Sequence, residues 1–123
     1  NAMFHLAFCF EFGDGTDIDL KQAYEWYGKA AEKGDPIAME RMGYLAGMGF
    51  EGMEPDPELS FKLFLESANM GVPSSMYMVG SAYLTGTGVA ADAIEAGKWL
   101  RLAADNDVPE ARELLENLSA IQR

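Results

Sequence analysis

The single histidine and the single cysteine of this 123-residue chain, His5 and Cys9, stand four apart. That spacing puts them on one side of a helix and makes half of a metal site. Zinc takes about four ligands, and the chain holds no second His or Cys to complete the set. As a nucleophile and its base the pair is no stronger, because nothing nearby marks an activated thiolate. Gly13-Asp14-Gly15 and Gly86-Thr87-Gly88 read as turns, since a phosphate loop needs a longer glycine pattern and usually a lysine. Glu51, Glu54, Asp56 and Glu58 lack calcium-loop spacing and read as a solvated turn. Asn117-Leu118-Ser119 has the form of a glycosylation acceptor, but the triplet is short, common and set in a helical stretch. Carboxylate-only acid–base chemistry is the enzymatic option left, and no clustered set supports it. The expectation is no catalytic residue, no metal and no cofactor.

Composition narrows the partners. Nearly half the residues are apolar and a quarter charged, which reads as a globular domain. A net charge of −11 repels phosphate backbones and anionic lipid, so nucleic acid and membrane surfaces are not expected partners. A basic or neutral protein fits better. With one cysteine no intrachain disulfide forms, which suits a reducing compartment. No apolar run approaches the roughly 20 residues of a membrane helix. Asn1-Ala2 before Met3 reads as a cloning remnant. With Met3 as the natural start, no secretion signal is present and a cytoplasmic location is expected; a trimmed start leaves periplasm or secretion open.

The elements that would position any site follow from a repeat. Pro36, Pro73 and Pro109 are spaced 37 and 36, as are Asp19, Asp56 and Asp92. Ala30-Ala31, Ser67-Ala68 and Ala103-Ala104 keep that register, as do Trp26, Leu63 and Trp99, and Ala23, Ser60 and Ala96. Ala7, Gly43 and Gly80 are spaced 36 and 37, and so are Gly13, Gly49 and Gly86. Each set has a physical task. The prolines open helices, where a missing N–H costs nothing. The aspartates cap free N–H groups at the next helix start, and Gln22 and Glu95, three residues beyond Asp19 and Asp92, stand at capping-box spacing. Gly43 and Gly80 lie inside helices, where glycine costs about 1 kcal/mol against alanine, so close approach of another backbone is expected there. Apolar residues recur at three and four along the intervening segments, as in Phe61, Phe64 and Ala68. The reading is seven helices, near 3–12, 19–33, 36–47, 57–70, 73–85, 92–106 and 109–121, and no strand. No helix pair can bury its apolar face alone, so neighbours must stack into an all-α solenoid.

These residues resemble the Sel-1-like repeat family, a branch of the tetratricopeptide-like helical repeats, and the resemblance implies a right-handed α–α solenoid. The best copy runs from Ser75-Met76-Tyr77-Met78-Val79-Gly80-Ser81-Ala82-Tyr83 through Gly86-Thr87-Gly88-Val89 and Asp92 to Lys98-Trp99 and Ala103-Ala104. The first copy ends close to the pattern in Ala23, Trp26-Tyr27 and Ala30-Ala31, whereas the second puts Ala46 for the aromatic and Leu63-Phe64 for Trp-Tyr. The resemblance implies one domain over 3–123, with repeats at about 3–35, 36–72 and 73–108. It also implies a C-terminal capping helix at 109–121, where Glu116 replaces the helix-interior glycine. It implies an adaptor or scaffold that binds a protein or peptide, without catalysis or cofactor. Some members carry cysteine pairs within repeats; this chain has none.

In related tetratricopeptide arrays the first helix of each pair lines the concave face. Carried over by register, the resemblance implies a groove of Phe4, Phe8, Glu11 and Phe12, then Ile37, Glu40, Tyr44 and Met48, then Tyr77, Ser81, Leu84 and Thr85, with Glu113 and Asn117 on the cap. The expected surface is an aromatic floor with acidic edges. It suits an unidentified protein or peptide, basic or neutral, with apolar anchors. Phe4 and Phe8 have the alternative reading of ordinary packing residues, or of contacts to an upstream repeat. A self-assembling unit, monomeric or weakly associating, or a fragment of a longer solenoid, is the competing functional reading.

Overall fold

A computed structural model describes residues 2–121, with side chains through Leu118. Asn1 and Gln122, at the two ends of the segments read above, and the side chain of Ser119 lie outside the description. Seven helices follow one another: α1 Ala2–Phe12, α2 Leu20–Glu32, α3 Pro36–Met48, α4 Pro57–Asn69, α5 Pro73–Thr85, α6 Ala93–Asp105 and α7 Pro109–Ile121. Each packs on its neighbours in the chain, from α1 on α2 through to α6 on α7. Among the described residues the extended backbone amounts to one isolated bridge, Phe50 to Met53, in the second copy's longer turn. The all-α solenoid expected from the repeat is the observed fold, with helix ends within a residue or so of the expected ones. No helix among the described residues is long and apolar enough to cross a membrane.

The aspartates do more than cap. Asp19 Oδ1 accepts from the Gln22 N–H at 3.1 Å, Asp56 Oδ1 from Leu59 at 3.0 Å, and Asp92 Oδ1 from Ile94 at 3.0 Å and Glu95 at 3.1 Å. Their own N–H groups donate back to the first helix of the pair: Asp19 to Phe10 O, Asp56 to Ala46 O and Asp92 to Tyr83 O, each at 2.8 Å. One residue per repeat therefore starts the second helix and clasps it to the first. The capping-box return is replaced in the third copy, where the Glu95 carboxylate takes the Lys98 ammonium at 3.2 Å.

Second helices end on a left-handed residue: Gly34 at φ 89°, Gly71 at 97° and, in the third copy, Asp107 at 67°. The next N–H reaches back five residues, from Asp35 to Ala30 O, Val72 to Ser67 O and Val108 to Ala103 O. Proline follows each of them in the sequence and opens the next first helix.

The core lies between the helices of each pair. Tyr27 and Leu100 are fully buried, and Phe64 nearly so, at one position of the three second helices. They face Ala7, Gly43 and Gly80. A methyl on Gly80 would stand 2.7 Å from Leu100 Cγ and 3.2 Å from the Leu100 backbone nitrogen, which is the close backbone approach expected. At Gly43 the neighbour differs from that expectation: it is the Phe64 ring, at 3.1 Å. Trp26 and Trp99 are half-buried at the edge, with the Lys29 ammonium 4.2 Å from the Trp26 ring.

Candidate functional site

The first helices carry the candidate face, and its densest part spans α1 and α3. Phe8 and Phe12 are exposed and tilted against each other with ring centroids 4.7 Å apart. The Arg41 guanidinium lies 5.4 Å from the Phe12 ring and 5.1 Å from the Tyr44 ring, so it bridges the aromatics of two repeats. Tyr44 in turn meets Phe64 edge-on at 5.0 Å. The Glu11 carboxylate pins Arg41 in place: Oε1 accepts from Arg41 Nε at 3.1 Å and from Tyr27 O–H at 2.6 Å, while Oε2 pairs with Arg41 Nη2. Burial and the carboxylate acceptor push the Tyr27 phenol well above its ordinary pKa. Burial draws the Arg41 guanidinium down, but the bond and charge of Glu11 outweigh it, and the net shift is upward. Burial, then the charge of Glu40, also raises Tyr44. The phenols thus stay neutral and the guanidinium charged across the physiological range.

The expected face is only partly assembled. Ile37, Met48, Thr85, Glu113 and Asn117 are exposed, as are Phe8 and Phe12. Phe4, Tyr44 and Tyr77 are half-buried and pack on the core; the Phe4 ring sits edge-on to Tyr27 at 5.4 Å. Ser81 and Leu84 are half-buried. Glu40 is a correction: only 7% exposed, it accepts hydrogen bonds from Ser74 and, at 3.2 Å, from Ser75 across the boundary to the third copy. Ser75 also donates to Ser67 Oγ, and Ser67 to Pro36 O, both at 2.8 Å. With Glu40 buried and Glu11 paired, the acidic edge beside the aromatics disappears. Arg41 takes its place on the surface, and the sequence reading passed it over. The available signal was the spacing 37, 41, 44 and 48, which is as helical as the chosen 37, 40, 44 and 48; the seryl partners of Glu40 decide between them.

His5 Nε2 stands 3.7 Å from Cys9 Sγ. Among the described residues no group of three His, Cys, Asp or Glu side chains is arranged to hold a metal. Asp56, from the acidic stretch, is spent as the α4 cap.

Between the second and third copies lies a cleft of about 240 Å³ lined by Gly47, Ser60, Phe61, Phe64, Met78 and Ser81, with Thr85 and Thr87 at one side. The two threonine hydroxyls lie 2.7 Å apart.

The Sel1 repeat pattern matches residues 1–35, 36–72 and 73–108. Among solved structures, the chain is similar to a Sel1 repeat protein from Oxalobacter formigenes, at TM-score 0.84 and 34% identity over 94% of this chain and 86% of that one. It also resembles c5321, a protective antigen of uropathogenic Escherichia coli with an SLR fold, at TM-score 0.86 and 34% identity over 89% of this chain and 23% of that one. Cysteine rich protein B of Helicobacter pylori shares the fold at TM-score 0.79 with 15% identity, over 93% of this chain and 87% of that one. Chitin synthase regulatory factor 3 of Schizosaccharomyces pombe is 30% identical over 87% of this chain, and chitin synthase regulator SKT5 of Saccharomyces cerevisiae 33% identical over 83%. The chain spans only 12% and 15% of the length of these two relatives. With three tandem copies matched, the caps and small residues in register and the same stack in the solved structures, the chain belongs to the Sel1 repeat family.

Proposed function

We propose that this chain is a protein-binding module, not an enzyme, and that it takes a protein segment or peptide along the first-helix face. The observation that carries the reading is a ladder of exposed Phe8 and Phe12 with half-buried Arg41 and Tyr44, extended by exposed Ile37 and Met48. Aromatic rings, Met and Arg are the side chains enriched where proteins meet. The ladder is held from behind by Glu11 and Tyr27, so little ordering is required when a ligand arrives. The two curated relatives are named as regulators of another protein, chitin synthase; only the coarse element, action through a protein partner, is carried to this chain. The ligand is anchored by apolar and aromatic side chains, and the net charge of −11 favours basic or neutral flanks.

The test is selection of peptides from a random displayed library on the immobilised chain, followed by F8S/F12S. The Phe8–Phe12 and Phe12–Arg41 contacts are lost, so the variant stays folded with a melting temperature lowered by about 5–10 °C. Loss of the selected peptides from this folded variant is expected; full retention overturns the reading.

One observation favours a second reading, self-association. Leu6, Met42, Val79 and Leu115 occupy one position of the four first helices, and the last three are half or fully buried. Leu6 is 41% exposed. Exposed Leu6 gives α1 an apolar contact for a second copy. A strictly monomeric chain in sedimentation velocity at every concentration sinks this reading.

A further inference from the structure

The cleft between the second and third copies is a vacated position of the repeat. In the first copy the same place is filled from within. Glu11 reaches between Tyr27 and Arg41 and bonds both. By register, Phe64 is the counterpart of Tyr27 and Met78 that of Arg41, and both line the cleft. The counterpart of Glu11 is Gly47, which has no side chain to place there. A second side chain is also small: Ser81 stands where the earlier copies have Phe8 and Tyr44. Leu84, the third member of the Glu11 set, restores a large residue in the following copy. The hollow is thus particular to the boundary after the middle repeat.

Its lining states the chemistry of a guest. At about 240 Å³ it is smaller than the roughly 300–1,000 Å³ of small-molecule and cofactor sites, and suits one side chain. The walls are the Phe61 and Phe64 rings, the Met78 thioether and Ala82, which favour an aromatic body. The hydroxyl-bearing residues Ser60, Ser81, Thr85 and Thr87 interrupt them. Ser60 donates to Gly43 O at 2.7 Å and keeps acceptor capacity. Ser81 Oγ is shielded from water and, among the described residues, is the buried side-chain oxygen without a hydrogen-bond partner. Such a group favours any arrangement that supplies one. Pairing with a guest requires the Ser81 hydroxyl to leave this shielded position for another staggered well.

We infer that this cleft receives a tyrosine side chain of the protein ligand, ring against Phe61, Phe64 and Met78 and hydroxyl paired with Ser81. The inference rests on the binding-module reading and names one anchor of its ligand. A phenylalanine leaves Ser81 unpaired, and a carboxylate, the native guest of the first copy, meets no arginine here.

The experiment titrates p-cresol and toluene, the tyrosine and phenylalanine side chains alone, into the intact isotope-labelled chain. p-Cresol is expected to shift the Met78 methyl and the Gly47 and Ser81 amides, with toluene about tenfold weaker, as one hydrogen bond allows. S81A, which leaves the fold intact, brings the two probes to within about twofold. A Cβ on Gly47 would stand 2.9 Å from Ser60 Oγ, so the refilling variant is G47L/S60A; with its urea midpoint retained, it abolishes both. Absence of shifts at these residues, equal affinity for the two probes in the native chain, or a cresol preference that survives S81A each overturns the inference. These free probes bypass the rest of the groove. Library peptides that bind while p-cresol does not refute this anchor alone; p-cresol binding without any selectable peptide refutes the broader reading instead.

Discussion

At the residue scale, the pair Glu11 and Arg41 joins three helices. The carboxylate ties α1 to α2 through Tyr27 and to α3 through Arg41. One side chain therefore stiffens the first repeat boundary and holds the cation over two rings. The Tyr27 phenol carries a pH signature of this arrangement. Its folded pKa is raised above the ordinary 10.0 by burial and by Glu11, so the folded chain holds the proton more tightly than the unfolded chain. That contribution is fully present below pH 10, and it is lost as the pH climbs beyond it. Tyr24 and Tyr44 are shifted the same way, with burial the leading cause in each. Y27F should lower stability by about 1.5–3 kcal/mol at neutral pH, the range for a hydrogen bond to a charged group. It should also flatten the alkaline loss. Urea melts across pH 8 to 11 check both; an alkaline slope equal to that of the native chain refutes the Tyr27 assignment.

At the scale of elements, the repeat is a set of helix pairs whose closeness is set by what stands at one interior position. Alanine in place of Gly43 or Gly80 gains about 1 kcal/mol of helix propensity. Overpacking opposes it by about 1–3 kcal/mol where the neighbours cannot yield. At Gly80 the obstruction includes backbone, at 3.2 Å, and Leu100 Cγ at 2.7 Å. At Gly43 it is a ring at 3.1 Å, which needs to give only a few tenths of an ångström. G80A should therefore lose about 1–2 kcal/mol, and G43A should stay within about 1 kcal/mol of the native chain. Equilibrium urea unfolding checks the order; G43A falling below G80A would contradict the packing described.

At the scale of the whole molecule, the outer surfaces of α1 and α7 differ. The α7 surface carries exposed Glu110, Arg112, Glu113, Glu116 and Asn117 and is polar. The α1 surface carries exposed Leu6, Phe8 and Phe12, and its one carboxylate, Glu11, is paired internally. If α1 meets a second copy, L6E places a charge in that contact and the chain becomes monomeric, with its far-ultraviolet spectrum unchanged. Sedimentation velocity over a concentration series checks this. Association that persists in L6E assigns the contact to another surface.

The sequence by itself determined the number of helices, their ends, the pairing and the family. Those rest on local rules that each repeat restates: proline at a helix start, aspartate at a cap, small residues at a close approach. Register with the family's first helices also singled out Phe8, Phe12, Ile37 and Met48, and all four are exposed. The tertiary structure decided which polar groups are free. Glu40 and Arg41 are adjacent on one turn, and either satisfied the spacing; Ser74 and Ser75, more than thirty residues away, bury the carboxylate and leave the guanidinium outside. The hollow beside Gly47 was likewise invisible in the sequence, where the glycine reads as one more small residue. It became a cleft because α4 and α5 bring Phe64, Met78 and Ser81 around it. Capping and periodicity are properties of one segment, whereas burial and polar pairing belong to the contacts between segments.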